Sequence, residues 1–230
     1  MVLRTHKLGE ADRIVVIMGA ERGKIRAVAK GIRRTSSKFG ARLEPLSHVS
    51  LQLVEGRDLD TVTQVETVDP HRAVREDLDR LGRATALLET VDAIAPEREP
   101  APHLYRMLCG GLATLAAQDA PAVVGSFLWK LLAVEGLEPV LDHCVSCGSV
   151  GDVGGFSPEH GGVVCRSCRA GAQPLSAEAL MLIGRVLGGD LVAVLAEEPT
   201  AATWESERLA ARTFEHQMER RLRSLQVLGR

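Results

Sequence analysis

Two cysteine pairs, Cys144-Val-Ser-Cys147 and Cys165-Arg-Ser-Cys168, stand seventeen residues apart. Thiolates two residues apart in a tight turn grip an ion from one side, and a second such pair completes a tetrahedron. The spacing therefore predicts one structural zinc ion per chain, with Cys144, Cys147, Cys165 and Cys168 as ligands. Four protein ligands leave no coordination position for water or substrate, so the ion is expected to hold structure and to do no chemistry. Gly148 follows the first pair directly, where positive φ lets backbone N–H groups turn toward sulfur. The insert 144–168 carries six glycines and no core of its own. Metal binding, on the order of 10 kcal/mol in small zinc modules, would order it. Other readings of the cysteines are weaker. Two disulfides would need an oxidising compartment, of which the N-terminus gives no sign. A redox pair would need only one C-x-x-C. His143 or His160 could stand in for one thiolate, although four already fill the shell. Cys109, in an apolar helical stretch, reads as a small buried hydrophobe.

A second set of residues is cationic. Residues 1–42 hold eleven Lys and Arg against Glu10, Asp12 and Glu21, a local charge of +8 in a chain whose total is −2, which leaves −10 for residues 43–230. A basic head on an acidic body predicts one polyanion-binding surface; a solvated Lys- and Arg-rich face is the plainer alternative. Along 24–30 a period of two sends Ile25, Ala27 and Ala29 one way and Lys24, Arg26 and Lys30 the other. The stretch after it, bracketed by Gly31 and Gly40, adds Arg33, Arg34, Lys38 and Arg42 with Ser36 and Ser37, groups that can all reach phosphate oxygens. Arg13, Lys24, Arg26, Lys30, Arg33, Arg34, Lys38 and Arg42 are the candidate DNA contacts. Base stacking has little to work with, because Phe39 is the single aromatic of the first 70 residues. Contact should be electrostatic, indifferent to sequence and sensitive to salt.

No catalytic residue can be named. The seven histidines are scattered without a nucleophile and carboxylate that spacing links to them. Gly19-Ala-Glu-Arg-Gly23-Lys24 is one residue short of a nucleotide-binding P-loop, and Ile25 stands where Ser or Thr should hold magnesium. The chain is therefore expected not to be an enzyme.

The elements that must position these groups fall into two regimes. Short runs at Leu3–Lys7, Arg13–Met18, Lys24–Lys30, Val49–Leu53 and Thr61–Val65 read as five strands, which suits a small closed barrel of the OB type over residues 1–69. Asp69-Pro70 then signals a helix start, followed by a stripe of Val74, Leu78, Leu81, Thr85 and Leu88. Leu104, Leu108, Leu112 and Leu115 mark a second helix. A third begins near Pro121 and holds Phe127, Trp129 and Leu132, and Ser176 caps a fourth with Leu180, Ile183 and Leu187. The last begins near Thr200 or Thr203 and carries Phe214, Met218, Leu222 and Leu225. The fold class is α+β: a barrel, then a helical domain over 70–230 with the zinc insert at about 140–172. No apolar run reaches the roughly 20 residues that span a bilayer, and charge in the first seven residues argues against a signal peptide. A cytosolic location is expected.

Several segments, in this order, resemble the RecO family of bacterial DNA repair proteins: Arg4-Thr-His-Lys-Leu-Gly-Glu10-Ala-Asp-Arg13, Gly23-Lys-Ile-Arg-Ala-Val-Ala-Lys30-Gly31, Arg33-Arg34, Ser37-Lys38-Phe39-Gly40 and Leu43-Glu44-Pro45. The cysteine quartet falls where many members carry theirs, behind a Trp-Lys-Leu-Leu helix. The resemblance implies an N-terminal OB-fold and a helical domain with an inserted zinc module. It further implies binding of single- and double-stranded DNA, annealing of complementary strands, association with RecR and contact with the acidic C-terminal tail of single-strand binding protein. These activities together help load recombinase onto coated strands, in a nucleoid-associated cytoplasmic setting. A zinc-stabilised scaffold for RNA or protein, without annealing activity, is the alternative.

Overall fold

The computed structural model describes residues 1–35, 37 and 39–224. Its contacts divide into two compact units, Met1–Ala117 and Gln118–Arg230.

The first unit opens with five strands: β1 (Val2–Leu8), β2 (Asp12–Gly19), β3 (Gly23–Ala29), β4 (His48–Val54) and β5 (Asp60–Asp69). They form one sheet in the order β1-β2-β3-β5-β4, antiparallel except where β3 meets β5 at Ala27–Asp60 and Val28–Thr61. The alternation along β3 is as the sequence predicts, with Ile25, Ala27 and Ala29 buried and Arg26 exposed. Ala27 and Ala29 join Val2, Val15, Ile17, Val62 and Val65 in a core that Ile32, Phe39 and Leu43 close from the connection after β3. Phe39, 2% exposed, is thus a core residue and offers no stacking platform.

The sheet is open between β1 and β4, which corrects the expected closed barrel. Val2 alone of β1 reaches across: its N–H donates to the Ser47 carbonyl (2.9 Å), and its carbonyl accepts from the Leu46 N–H (3.0 Å). After it comes a register shift between Val2 and Arg4. Arg4 then pairs with Asp92 of helix α2 (Leu78–Ile94), which packs on β1.

The polypeptide that follows α2 passes tightly over the start of β3. The Lys24 N–H donates to the Pro96 carbonyl (3.1 Å) and the Arg98 N–H to the Lys24 carbonyl (2.9 Å). Gly23 is required there, since a Cβ at this position would lie 1.8 Å from the Glu99 carbonyl oxygen. Fully buried Asp60 accepts from Arg98 (2.9 Å) and stands 3.2 Å from Arg22.

One continuous helix after Asp69-Pro70 is not what forms. β5 runs to Asp69, His71 takes left-handed geometry (φ 51°), and α1 (Arg72–Arg75) is a single turn. Helix α2 starts afresh at Asp77, whose carboxylate accepts from the N–H groups of Asp79 (2.9 Å) and Arg80 (3.1 Å). The break shifts the helical phase. Leu78 is 86% exposed, and Ala84, Leu87, Leu88 and Val91 form the buried stripe. Helix α3 (Pro102–Ala117) buries its four leucines as expected, whereas Cys109 is only half-buried.

In the second unit, α4 (Val123–Val134) is buried on nearly every side, and its Trp129 donates to the Ser206 hydroxyl (3.0 Å). A hairpin of β6 (Val153–Ser157) and β7 (Gly162–Cys165) follows, then α5 (Ala177–Leu187), capped by Ser176, and the short α6 (Leu191–Ala196). Helix α7 (Ala201–Gln217) opens with Thr200 and Thr203 in a reciprocal cap. It ends earlier than its apolar spacing suggests: Glu219 is left-handed (φ 51°), so Met218 and buried Leu222 lie past the helix, and Leu225 lies outside the described residues. No helix among the described residues is long and apolar enough to cross a membrane.

Candidate functional site

The four cysteines that spacing singles out do come together. Their sulfurs all lie within 4.8 Å of one another, and Cys147 and Cys165 are 3.7 Å apart. The backbone builds this in two halves. In the first, the Cys144 N–H donates to the Ser149 carbonyl (2.8 Å), and the Gly148 N–H returns to the Cys144 carbonyl (2.8 Å). Gly148, at φ 76°, takes the expected geometry, and the N–H groups of Ser146 and Cys147 turn toward the Cys144 sulfur. The second half comes from the end of β7: Cys165 is its last residue, and the Cys168 N–H donates to the Cys165 carbonyl (3.0 Å). The halves are sewn together by the Val145 N–H on the Val163 carbonyl (2.9 Å). Gly162 is part of that seam, because a Cβ there would meet Val145 at 2.5 Å.

N–H groups also favour thiolates here. The backbone N–H of Cys165 helps draw the Cys144 thiol down to about 6. The Ser149 hydroxyl, with the Cys168 N–H, lowers Cys165. Cys168 moves the other way, pushed up to about 12 by the sulfurs of Cys165 and Cys147. Four sulfurs this close cannot all shed protons without a cation to share, which is the behaviour of a metal-binding set.

The module is fastened to the helical core. Phe156 of β6 exchanges two backbone hydrogen bonds with Gln173 (2.8 and 2.9 Å) and packs edge-on against Trp129, ring centres 5.7 Å apart.

The cationic candidates separate into two groups. Lys24 is taken up structurally, donating to the Asp92 carbonyl (2.7 Å). Arg13 is half-buried and paired with Glu44 (2.6 Å). Arg26, Lys30, Arg33, Arg34 and Arg42 are exposed. Lys38 lies outside the described residues. Arg33 is placed by the neighbouring hairpin: its guanidinium donates to the Glu10 carbonyl (2.8 Å), and its N–H to the Ala11 carbonyl (2.9 Å). The Asp12 carboxylate accepts from the Gly31 N–H (2.7 Å), fixing the start of the same loop. The connection after β3 is thereby tied to the β1–β2 turn, which gathers Lys30, Arg33 and Arg34 beside Arg13 at one end of the sheet.

Lys7 belongs to that end too, as the cross-strand partner of Arg13, exposed at the close of β1. The sequence reading missed it, although the hairpin turn at Gly9 and the period of two along Val2–Leu8 were available to find it.

Two family models match the chain, Recombination protein O N terminal over residues 1–71 and Recombination protein O C terminal over residues 75–226. Full-length similarity accompanies them. The DNA repair protein RecO of Nocardioides sp. is 45% identical over 240 residues, covering 100% of this chain and 97% of the relative. That of Cutibacterium acnes is 45% identical over 239 residues, with the same coverage. That of Frankia casuarinae is 43% identical over 235 residues, 100% of this chain and 96% of the relative.

Proposed function

The chain belongs to the RecO family, and from that membership we propose that it is a non-catalytic DNA-binding and strand-annealing factor of DNA repair and recombination. The observation that carries the reading is the collection of Lys7 and Arg13, on paired ends of β1 and β2, with Lys30, Arg33 and Arg34 of the loop tied to that hairpin, at one end of the sheet. Flexible cations scattered along a strand would lose entropy on meeting DNA. Cations on a loop already tied down lose less, so more of the phosphate attraction is retained. Annealing needs no active site: a surface that screens two phosphate backbones weakens their repulsion, and the strands supply the pairing energy.

In this reading residues 1–69 form an OB-type DNA-binding domain, which the order β1-β2-β3-β5-β4 suits, and residues 70–230 the helical domain. Its partners would be single- and double-stranded DNA, RecR and the acidic tail of single-strand binding protein, with which it helps load recombinase in the bacterial cytoplasm. The metal would be zinc. Zn–S bonds of about 2.3 Å put tetrahedral sulfurs about 3.8 Å apart, and the Cys147–Cys165 separation is 3.7 Å. Zinc bound there would offset half of the charge of four thiolates, while the chain supplies the N–H donors and the hairpin that hold them in place.

The test is anisotropy of a labelled oligonucleotide with the native chain and with Lys30→Glu, Arg33→Glu, Arg34→Glu combined. A fall in affinity of about a hundredfold or more, with unchanged circular dichroism, is expected for three reversed phosphate contacts. Unchanged binding would remove the surface from consideration.

A further inference from the structure

The second unit carries a groove of about 420 Å³ between α5 and the turn that joins α6 to α7. Its apolar lining includes Met181, Leu182, Val194 and Ala202, and Met181 is 61% exposed. Its charged lining is mostly acidic. Glu178, Glu197 and Glu198 face a single cation, Arg185, which is already clamped by Glu197 (2.6 and 3.0 Å) and by Asp190 (2.8 Å). Glu178 and Glu198 are exposed, with no ion-pair partner among the described residues.

Such a groove rejects the ligand proposed for the sheet. Carboxylates at its edge repel phosphate, so DNA and anionic lipid headgroups are disfavoured, and an acidic peptide is disfavoured for the same reason. A small polyamine would satisfy the carboxylates and leave the apolar wall bare. An occupant that satisfies both presents an apolar stripe flanked by Lys or Arg, the pattern of an amphipathic helix laid in a groove. Exposed methionine suits this mode, because its unbranched thioether adapts to the side chain set against it.

We propose that the α5–α7 groove is a docking site for a basic amphipathic helix of a partner protein, with apolar anchors against Met181 and Leu182 and cations against Glu178 and Glu198. It is a contact separate from the cationic sheet end, recognised by the opposite sign of charge.

The test uses the full chain and two labelled synthetic helices that share one leucine stripe, the first flanked by lysines and its twin by glutamates, read by anisotropy. The lysine helix should bind and the glutamate twin should not. Glu178→Gln with Glu198→Gln should weaken the lysine helix about tenfold, and so should Met181→Asp. Glu159→Gln with Glu219→Gln, which removes the same charge elsewhere on this unit, should leave it unchanged. The proposal is overturned if the native chain does not bind the lysine helix, if the twins bind alike, or if the distant pair weakens binding as much as the groove pair. Thermal melts of each variant separate lost docking from lost folding, and Met181→Asp reports on the groove even if Glu178→Gln disturbs the start of α5.

Discussion

Cys147 is the exposed member of the cysteine quartet, while Cys144 and Cys165 are buried and Cys168 is half-buried. Replacing it removes a ligand without opening a cavity, so Cys147→Ala isolates what the ion contributes. Elemental analysis is expected to fall from about one zinc per chain to well below half. Several kcal/mol of metal-linked folding energy correspond to a melting temperature lower by about 10 °C or more, at 2–4 °C per kcal/mol. Treating the native chain with a chelator should produce the same shift. Identical melts with and without chelator would contradict the structural role, and DNA affinity of the sheet should not follow the cysteine change.

Among the elements, the tie between the β1–β2 turn and the loop after β3 gives a prediction whose sign separates two physical effects. Asp12 is an anion within a cationic region, so by charge alone Asp12→Ala should tighten DNA binding. It also accepts from the Gly31 N–H and so holds the loop that carries Arg33 and Arg34. If placement matters more, affinity falls about threefold to fivefold, the size of one lost hydrogen bond. Weaker binding is expected. Tighter binding would show the loop cations acting as loose charges. A second element-scale prediction concerns Asp77, whose carboxyl is lowered chiefly by the hydrogen bond from the Arg80 N–H. A carboxylate held below its ordinary value stabilises the fold above about pH 4, and that contribution is lost as pH falls through the depressed value. Asp77→Ala should therefore melt below the native chain at pH 7, with the gap closing toward pH 3. A constant gap would mean that the cap does not act through its charge.

The sequence was most legible where one local rule decided the outcome. Five strands were readable from β-branched runs and, at 24–30 and 49–53, a period of two; the leucine face of α3 was readable from helical spacing, and the cap Ser176 from residue type. The metal set was legible because two paired thiols require little from the rest of the chain. What escaped depends on partners distant in sequence. The Arg4–Asp92 pair joins positions 88 apart, and the engagement of Lys24 comes from the same helix. Nothing within 24–30 distinguishes Lys24 from Arg26. The break at Glu76-Asp77 was hidden because Val74 and Leu78 fit one helical stripe, although a left-handed His71 and a fresh cap at Asp77 divide it.

For the molecule as a whole, the division of charge matters more than its total. On the proposed reading, a head of +8 on a remainder of −10 makes the leading segment the surface that favours phosphate. Binding should therefore weaken steeply with salt. With about six phosphates neutralised on a single strand, log affinity against log salt is expected to fall with a slope of about −4. A slope near −1 would leave room for only one or two contacts and would be incompatible with the loop and strand ends acting together.

Trp129 gives the metal module an optical consequence. Its indole is fully buried, donates to Ser206 on one side and meets Phe156 of the hairpin on the other. Loosening the cysteine knuckles frees that hairpin, so the ring loses its apolar neighbour and meets water. Stripping the ion should then shift tryptophan emission to the red, an internal signal of whether the thiolates are filled.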